Sequence, residues 1–116
     1  LSHAERERDE ALAHRQRMQE ALDAARAQSQ QLADYRREYE QRWAERFAQP
    51  GQMDLLRCYH GFVTRLTQAI EHQARVATQA GHQLERAQEA LQQQELRVAS
   101  VHHTLPRKPE RIRRGR

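Results

Sequence analysis

Through the second half of the chain an apolar row recurs every seven residues: Leu56, Val63, Ile70, Ala77, Leu84, Leu91, Val98 and Leu105. Three residues after each comes a companion row of Tyr59, Leu66, Gln73, Ala80, Ala87, Gln94 and Val101. Two such rows form the a and d seam of a coiled coil. A strict period of seven implies a left-handed supercoil.

The first half repeats the pattern more faintly. Ala4, Ala11, Met18, Ala25, Leu32 and Tyr39 recur at seven. Their expected companions are Glu7, His14, Ala21, Gln28 and Tyr35, which are only partly apolar. Small seam residues bury little area, at about 25 cal/mol per Å2. The alanine-rich end is therefore expected to fray first.

The two patterns meet at Gln49-Pro50-Gly51-Gln52, a turn signal. Ser2 and Glu5 have capping-box spacing, so helix one is expected from about residue 3 to 48. Asp54 is the expected cap of helix two, which should end near residue 104, ahead of Pro106. At 1.5 Å per residue each helix would be roughly 70–75 Å long. A short turn makes the helices antiparallel neighbours. Tyr39 then lies at the level of Phe62, Tyr35 at that of Leu66, and Leu32 at that of Ala69.

The expected fold is all-α: two long helices forming an antiparallel left-handed coiled-coil hairpin. It would span residues 1–105, with its turn at about 49–53. Residues 106–116 would follow as a disordered basic tail.

Composition agrees. Of 116 residues only 37% are hydrophobic, against roughly 45–50% in an average domain. That leaves too little for a layered core and enough for one narrow stripe. The net charge of +4 is concentrated in residues 106–116, which hold six basic groups and one acid, so the body is nearly balanced. Cys58 is the single cysteine and has no internal disulfide partner, as in a reducing compartment. No apolar run is long enough for a membrane span or a signal peptide. The chain opens on Leu1 rather than Met, as expected of a sequence lacking its native N-terminus.

All six aromatics fall between residues 35 and 62: Tyr35, Tyr39, Trp43, Phe47, Tyr59 and Phe62. Steps of four residues drift about 40° each, so Tyr35 to Phe47 sweeps about 120° around the helix. Phe47 should point away from the seam unless the chain reversal covers it. Helix two has a third apolar row at the same heights, Leu55, Phe62, Ala69 and Val76. One partner helix cannot cover all of this. Three readings follow: the rings lock the turn end, they dock a different protein, or they drive self-association.

The runs QQLADYRREY and LLRCYHGFVTRLTQAIEHQ resemble the flagellar export protein family FliJ. The family pattern is L-x-x-Y-x-x-x-Y, a turn, then Y-x-x-F-x-x-x-L-x-x-A-I. This chain supplies Leu32, Tyr35, Tyr39, Tyr59, Phe62, Leu66, Ala69 and Ile70. The likeness covers about residues 5–100, with the motif confined to 28–73.

The resemblance implies a soluble stalk and chaperone escort of the bacterial type III flagellar export apparatus. Its implied partners are the hexameric export ATPase, the cytoplasmic domain of the membrane export gate, and export chaperones. Its implied location is the cytoplasm, peripheral to the inner face of the cell membrane. The family's gate-contacting positions carry over onto Gln28, Leu32, Tyr35, Tyr39, Phe62, Leu66, Ala69 and Gln73. Gln73 stands where the family can have His. The tail also departs, since Pro106 and Pro109 interrupt what is usually a charged helix.

The chemistry-bearing residues argue against an enzyme. No two of the seven histidines have the i,i+4 spacing of a helical metal site, and there is no glycine-rich phosphate loop. No cofactor, metal or small-molecule substrate is expected. Nucleic-acid binding would rest on the tail alone, which has no aromatic for base stacking. The remaining alternatives are a structural coiled coil that self-associates through the aromatic band, and the injectisome counterpart of the export stalk.

Overall fold

The computed structural model describes the backbone of residues 2–48 and 53–114, and side chains as far as His102. The expected turn at Pro50-Gly51 and the side chains of the basic segment lie outside the described residues. The described residues form two helices: α1, His3–Phe47, and α2, Met53–Arg114. Among the described residues there is no strand. The fold is all-α, two long helices in an antiparallel hairpin.

α1 begins at its expected cap. The Glu5 amide donates to Ser2 Oγ at 3.2 Å, and the Arg6 amide donates to the Ser2 carbonyl at 3.1 Å. Glu5 reaches back as its spacing requires, and its carboxylate accepts from the Ser2 hydroxyl at 3.2 Å. In α2, Met53 is already helical, so Asp54 sits in the first turn rather than at the cap. Its carboxylate there still meets the positive end of the helix dipole. α2 runs on past Pro106 and Pro109 to Arg114, further than the expected stop near residue 104. A proline forfeits one helical hydrogen bond at about 3 kcal/mol, but its fixed φ is compatible with a helix, so it can kink the helix instead of ending it.

Packing divides into two units. The first is Ala21–Ala80, whose buried residues are Leu22, Ala25, Leu66 and Ala80. Here Gln73 meets Ala25, Tyr39 meets Phe62, and Phe47 meets Tyr59. Low numbers on α1 pair with high numbers on α2, which makes the pair antiparallel. The Tyr39 level falls on Phe62, as the turn position requires.

The second unit joins Leu1–Glu20 to Gly81–Arg116 and buries Ala4, Leu84, Ala87 and Val98. Arg97 bonds Glu7 at 2.7 Å, and His102 lies 3.4 Å from Glu5. His3 also pairs with Glu7. Such exposed pairs contribute about 0–1 kcal/mol, so they mark the register more than they hold it.

The seam of α2 is the one its period of seven predicts. From Leu56 to Val98 every residue of both rows is buried or half-buried, and only Val101 emerges. α1 differs. Its row Ala4, Ala11, Met18, Ala25, Leu32 and Tyr39 is covered; of the expected companions Glu7 is half-buried, but His14, Ala21, Gln28 and Tyr35 are exposed. The covered companions are Arg8, Arg15, Leu22, Ser29, Arg36 and Trp43. Positions three and four residues on from a seam residue share its helix face, so either row could have closed the seam. Leu22 offers more apolar area than Ala21 beside it, and Trp43 adds an indole to the same row, so α1 turns toward them. The three arginines fit because their aliphatic stems tolerate contact while their guanidinium groups reach water.

Candidate functional site

The rotation of α1 decides what the aromatic window does. All six rings form one connected cluster. Tyr39 is its centre, with ring centroids 4.2 Å from Phe62, 5.7 Å from Trp43, 5.9 Å from Tyr59 and 6.3 Å from Tyr35. Phe47 does not project into solvent. It packs edge-on against Tyr59 at 5.1 Å and lies 5.4 Å from Trp43. Offset and edge-to-face geometries of this kind add about 0.5–1.5 kcal/mol per pair beyond area burial. Five of the rings are half-buried by one another, so locking the turn-proximal unit is a large part of their role.

Tyr35 is the exception. It touches Tyr39 and Phe62, yet 47% of it remains exposed. With Trp43 drawn into the seam, Tyr35 is left on the rim. From there it lines two separate grooves of the same unit.

The first groove has a volume of about 530 Å3 and is lined by Gln28, Gln31, Leu32, Tyr35 and Gln73. Four of these are among the eight expected contact residues, and they come from both helices. Gln73 occupies a seam position, where an unpaired amide would be costly. Its Nε2 donates to the Ala25 carbonyl of α1 at 3.3 Å, across a gap that the small Ala25 leaves open. Gln73 therefore has a structural partner of its own. Ser29 Oγ is buried without a hydrogen-bond partner among the described residues.

The other four expected residues are distributed less evenly. Tyr39 and Phe62 pack against each other with their rings tilted, and both are half-buried. Leu66 is buried in the seam and presents little surface. Ala69 is exposed, as is its row neighbour Val76.

The second groove, about 260 Å3, is lined by Tyr35, Tyr39, Arg42, Trp43 and Arg46. Arg46 stacks over the Trp43 ring, its Cζ 5.4 Å from the centroid. Sequence reasoning named neither Arg42 nor Arg46 as a site residue. The available signal was their spacing of four around Trp43, which places both on one helix face.

Among the described residues no three His, Cys, Asp or Glu side chains are placed to hold a metal ion, and Cys58 is exposed. No helix there is long and apolar enough to cross a membrane. The two grooves are lined by aromatic faces, amides and guanidinium groups.

The model of the flagellar FliJ protein family matches residues 1–111. No curated protein and no solved structure matches the chain. The match spans both helices and takes in the aromatic window and both grooves, and on that ground the chain belongs to the FliJ family, a component of the flagellar protein export apparatus.

Proposed function

We propose that this protein is the stalk of a type III flagellar export apparatus, coupling the hexameric export ATPase to the membrane export gate. In this reading Gln28, Leu32, Tyr35, Tyr39, Phe62, Leu66, Ala69 and Gln73 form the face that docks the gate's cytoplasmic domain. The observation that carries it is the groove in which Gln28, Leu32, Tyr35 and Gln73 converge from two helices around a half-exposed tyrosine. Tyrosines that keep one face free beside a small apolar patch are the usual anchors of protein interfaces. Leu66 supports that face from below rather than touching the partner.

The unit carrying the termini is the part assigned to the ATPase ring, by analogy with rotary stalks. The protein works in the cytoplasm, peripheral to the membrane, and also receives export chaperones. The basic groups of residues 106–116, most of them on the last turns of α2, meet acidic protein or lipid surfaces.

The test is calorimetric titration of the purified cytoplasmic domain of the export gate. Wild type should bind, and Tyr35→Ala/Phe62→Ala should lose binding while remaining helical and monomeric. A helical, monomeric wild type that does not bind would end the docking reading and return the aromatics to packing. Association of the wild type with itself through these rings would favour the structural coiled coil instead.

A further inference from the structure

The second groove has a chemistry that the gate-docking face does not use. Between residues 34 and 46, α1 carries four arginines. Two are neutralised within the helix: Arg36 bonds Glu40 at 2.9 Å and Arg37 lies 3.6 Å from Asp34. Arg42 and Arg46 are not. Glu38 stands four residues before Arg42, the favourable order for an intrahelical pair, and Glu45 adjoins Arg46. Neither acid closes an ion pair among the described residues. The two guanidinium groups instead line the groove with Tyr35, Tyr39 and Trp43, and Arg46 lies over the indole. No acidic side chain lines it.

The geometry points to a binding site for an acidic protein segment, one carrying two or more carboxylates beside a bulky apolar side chain. The carboxylates would be held by Arg42 and Arg46. Guanidinium forks fit carboxylates bidentately, and a ring stacked on one face leaves the fork edge free to donate. The apolar side chain would rest on Tyr39 and Trp43, excluding water from the charged contacts. Charge complementarity selects this occupant over a nucleic acid. Two cations suffice for one acidic segment, whereas an extended run of phosphates would continue onto Asp34, Glu38, Glu40 and Glu45 along the same stretch. The inference does not depend on which export component supplies the segment; the groove shares Tyr35 and Tyr39 with the gate-docking face, and Arg42, Trp43 and Arg46 are its own.

Trp43 is the chain's single tryptophan and lies in the groove, so its fluorescence reports occupancy directly. The experiment titrates the full chain with a short peptide of Asp, Glu, Leu and Ala. In parallel it uses the same peptide with Asn and Gln for the acids, and a single-stranded oligonucleotide of equal charge. The acidic peptide should give a saturable change that weakens as salt is raised. The amide peptide should bind at least about tenfold more weakly. Arg42→Gln/Arg46→Gln should lose about tenfold or more for the acidic peptide with helicity unchanged, since both side chains are exposed. Arg42→Lys/Arg46→Lys, which keeps the charge without the fork, should fall between.

No saturable change, equal affinity for acidic and amide peptides, or undiminished binding by the glutamine variant would overturn the proposal. So would tighter, arginine-dependent binding of the oligonucleotide. Because neither peptide contains gate sequence, a protein that fails to bind the gate can still pass this test, and the reverse.

Discussion

Tyr39 on α1 and Phe62 on α2 hold their rings 4.2 Å apart, the shortest of the ring contacts in the aromatic cluster. Three further rings approach Tyr39 within 6.3 Å, so this contact is the tightest of the ring pairs that tie α1 to α2. Stability and the proposed docking face therefore overlap at Phe62.

That overlap separates two variants. Phe62→Ala should cost about 1–3 kcal/mol, less than the ~3–5 kcal/mol of a fully buried phenylalanine, because the ring is only half-buried. Tyr35→Ala should cost under about 1 kcal/mol, yet weaken gate binding about tenfold or more. Urea unfolding followed by circular dichroism, beside calorimetry, measures both. A Tyr35→Ala variant as destabilised as Phe62→Ala would mean that Tyr35 is a packing residue.

The seam of α1 makes a second, sharper prediction. Arg15 occupies a covered position and His14 an exposed one. Arg15→Leu should stabilise by about 0.5–1.5 kcal/mol through added apolar burial. His14→Leu should stay within about 0.5 kcal/mol of wild type. Thermal melts that reverse this order would restore the frame first expected from the sequence.

Gly61 and Gly81 lie inside α2, and a Cβ built on either meets nothing within 4 Å. Neither glycine is needed for close packing within the chain. Gly61→Ala and Gly81→Ala should each stabilise by about 0.5–1 kcal/mol, by lowering the entropy of the unfolded chain and raising helix propensity. A destabilised alanine variant would expose a contact that this conformation lacks.

Hydrogen exchange should distinguish the two packed units. Residues 21–80 have Leu22, Leu66 and the ring cluster, whereas α1 contributes only Ala4 to the core of the other unit. Amides around Leu22 to Leu32 should exchange about tenfold or more slowly than those around Ala4 to Ala11. Equal protection would show that the small seam residues hold α1 as firmly as the rings do.

Much of this architecture was legible in the amino-acid order. The seam of α2 could be read because one residue class returns every seven positions for seven repeats, which leaves a helix a single way to bury it. The capping box and the level of Tyr39 opposite Phe62 followed from spacing alone. The aromatic motif was legible as a resemblance, and the family match agrees with it.

Sequence by itself determined that there would be two helices, where they pair, and which face α2 turns inward. It left α1 with two nearly equivalent companion rows, each mixing small, polar and charged residues. Only the packed structure chose between them, because the choice depends on contacts across the hairpin. Trp43 gains Tyr59 of α2 by turning in, while its contacts with Tyr39 and Phe47 lie along its own helix. That turn sends Tyr35 out to the rim and leaves Arg42 and Arg46 lining a groove rather than pairing along the helix. Periodicity records which residues share a face, but the rotation of a weakly apolar helix is settled by the area it can bury against its partner.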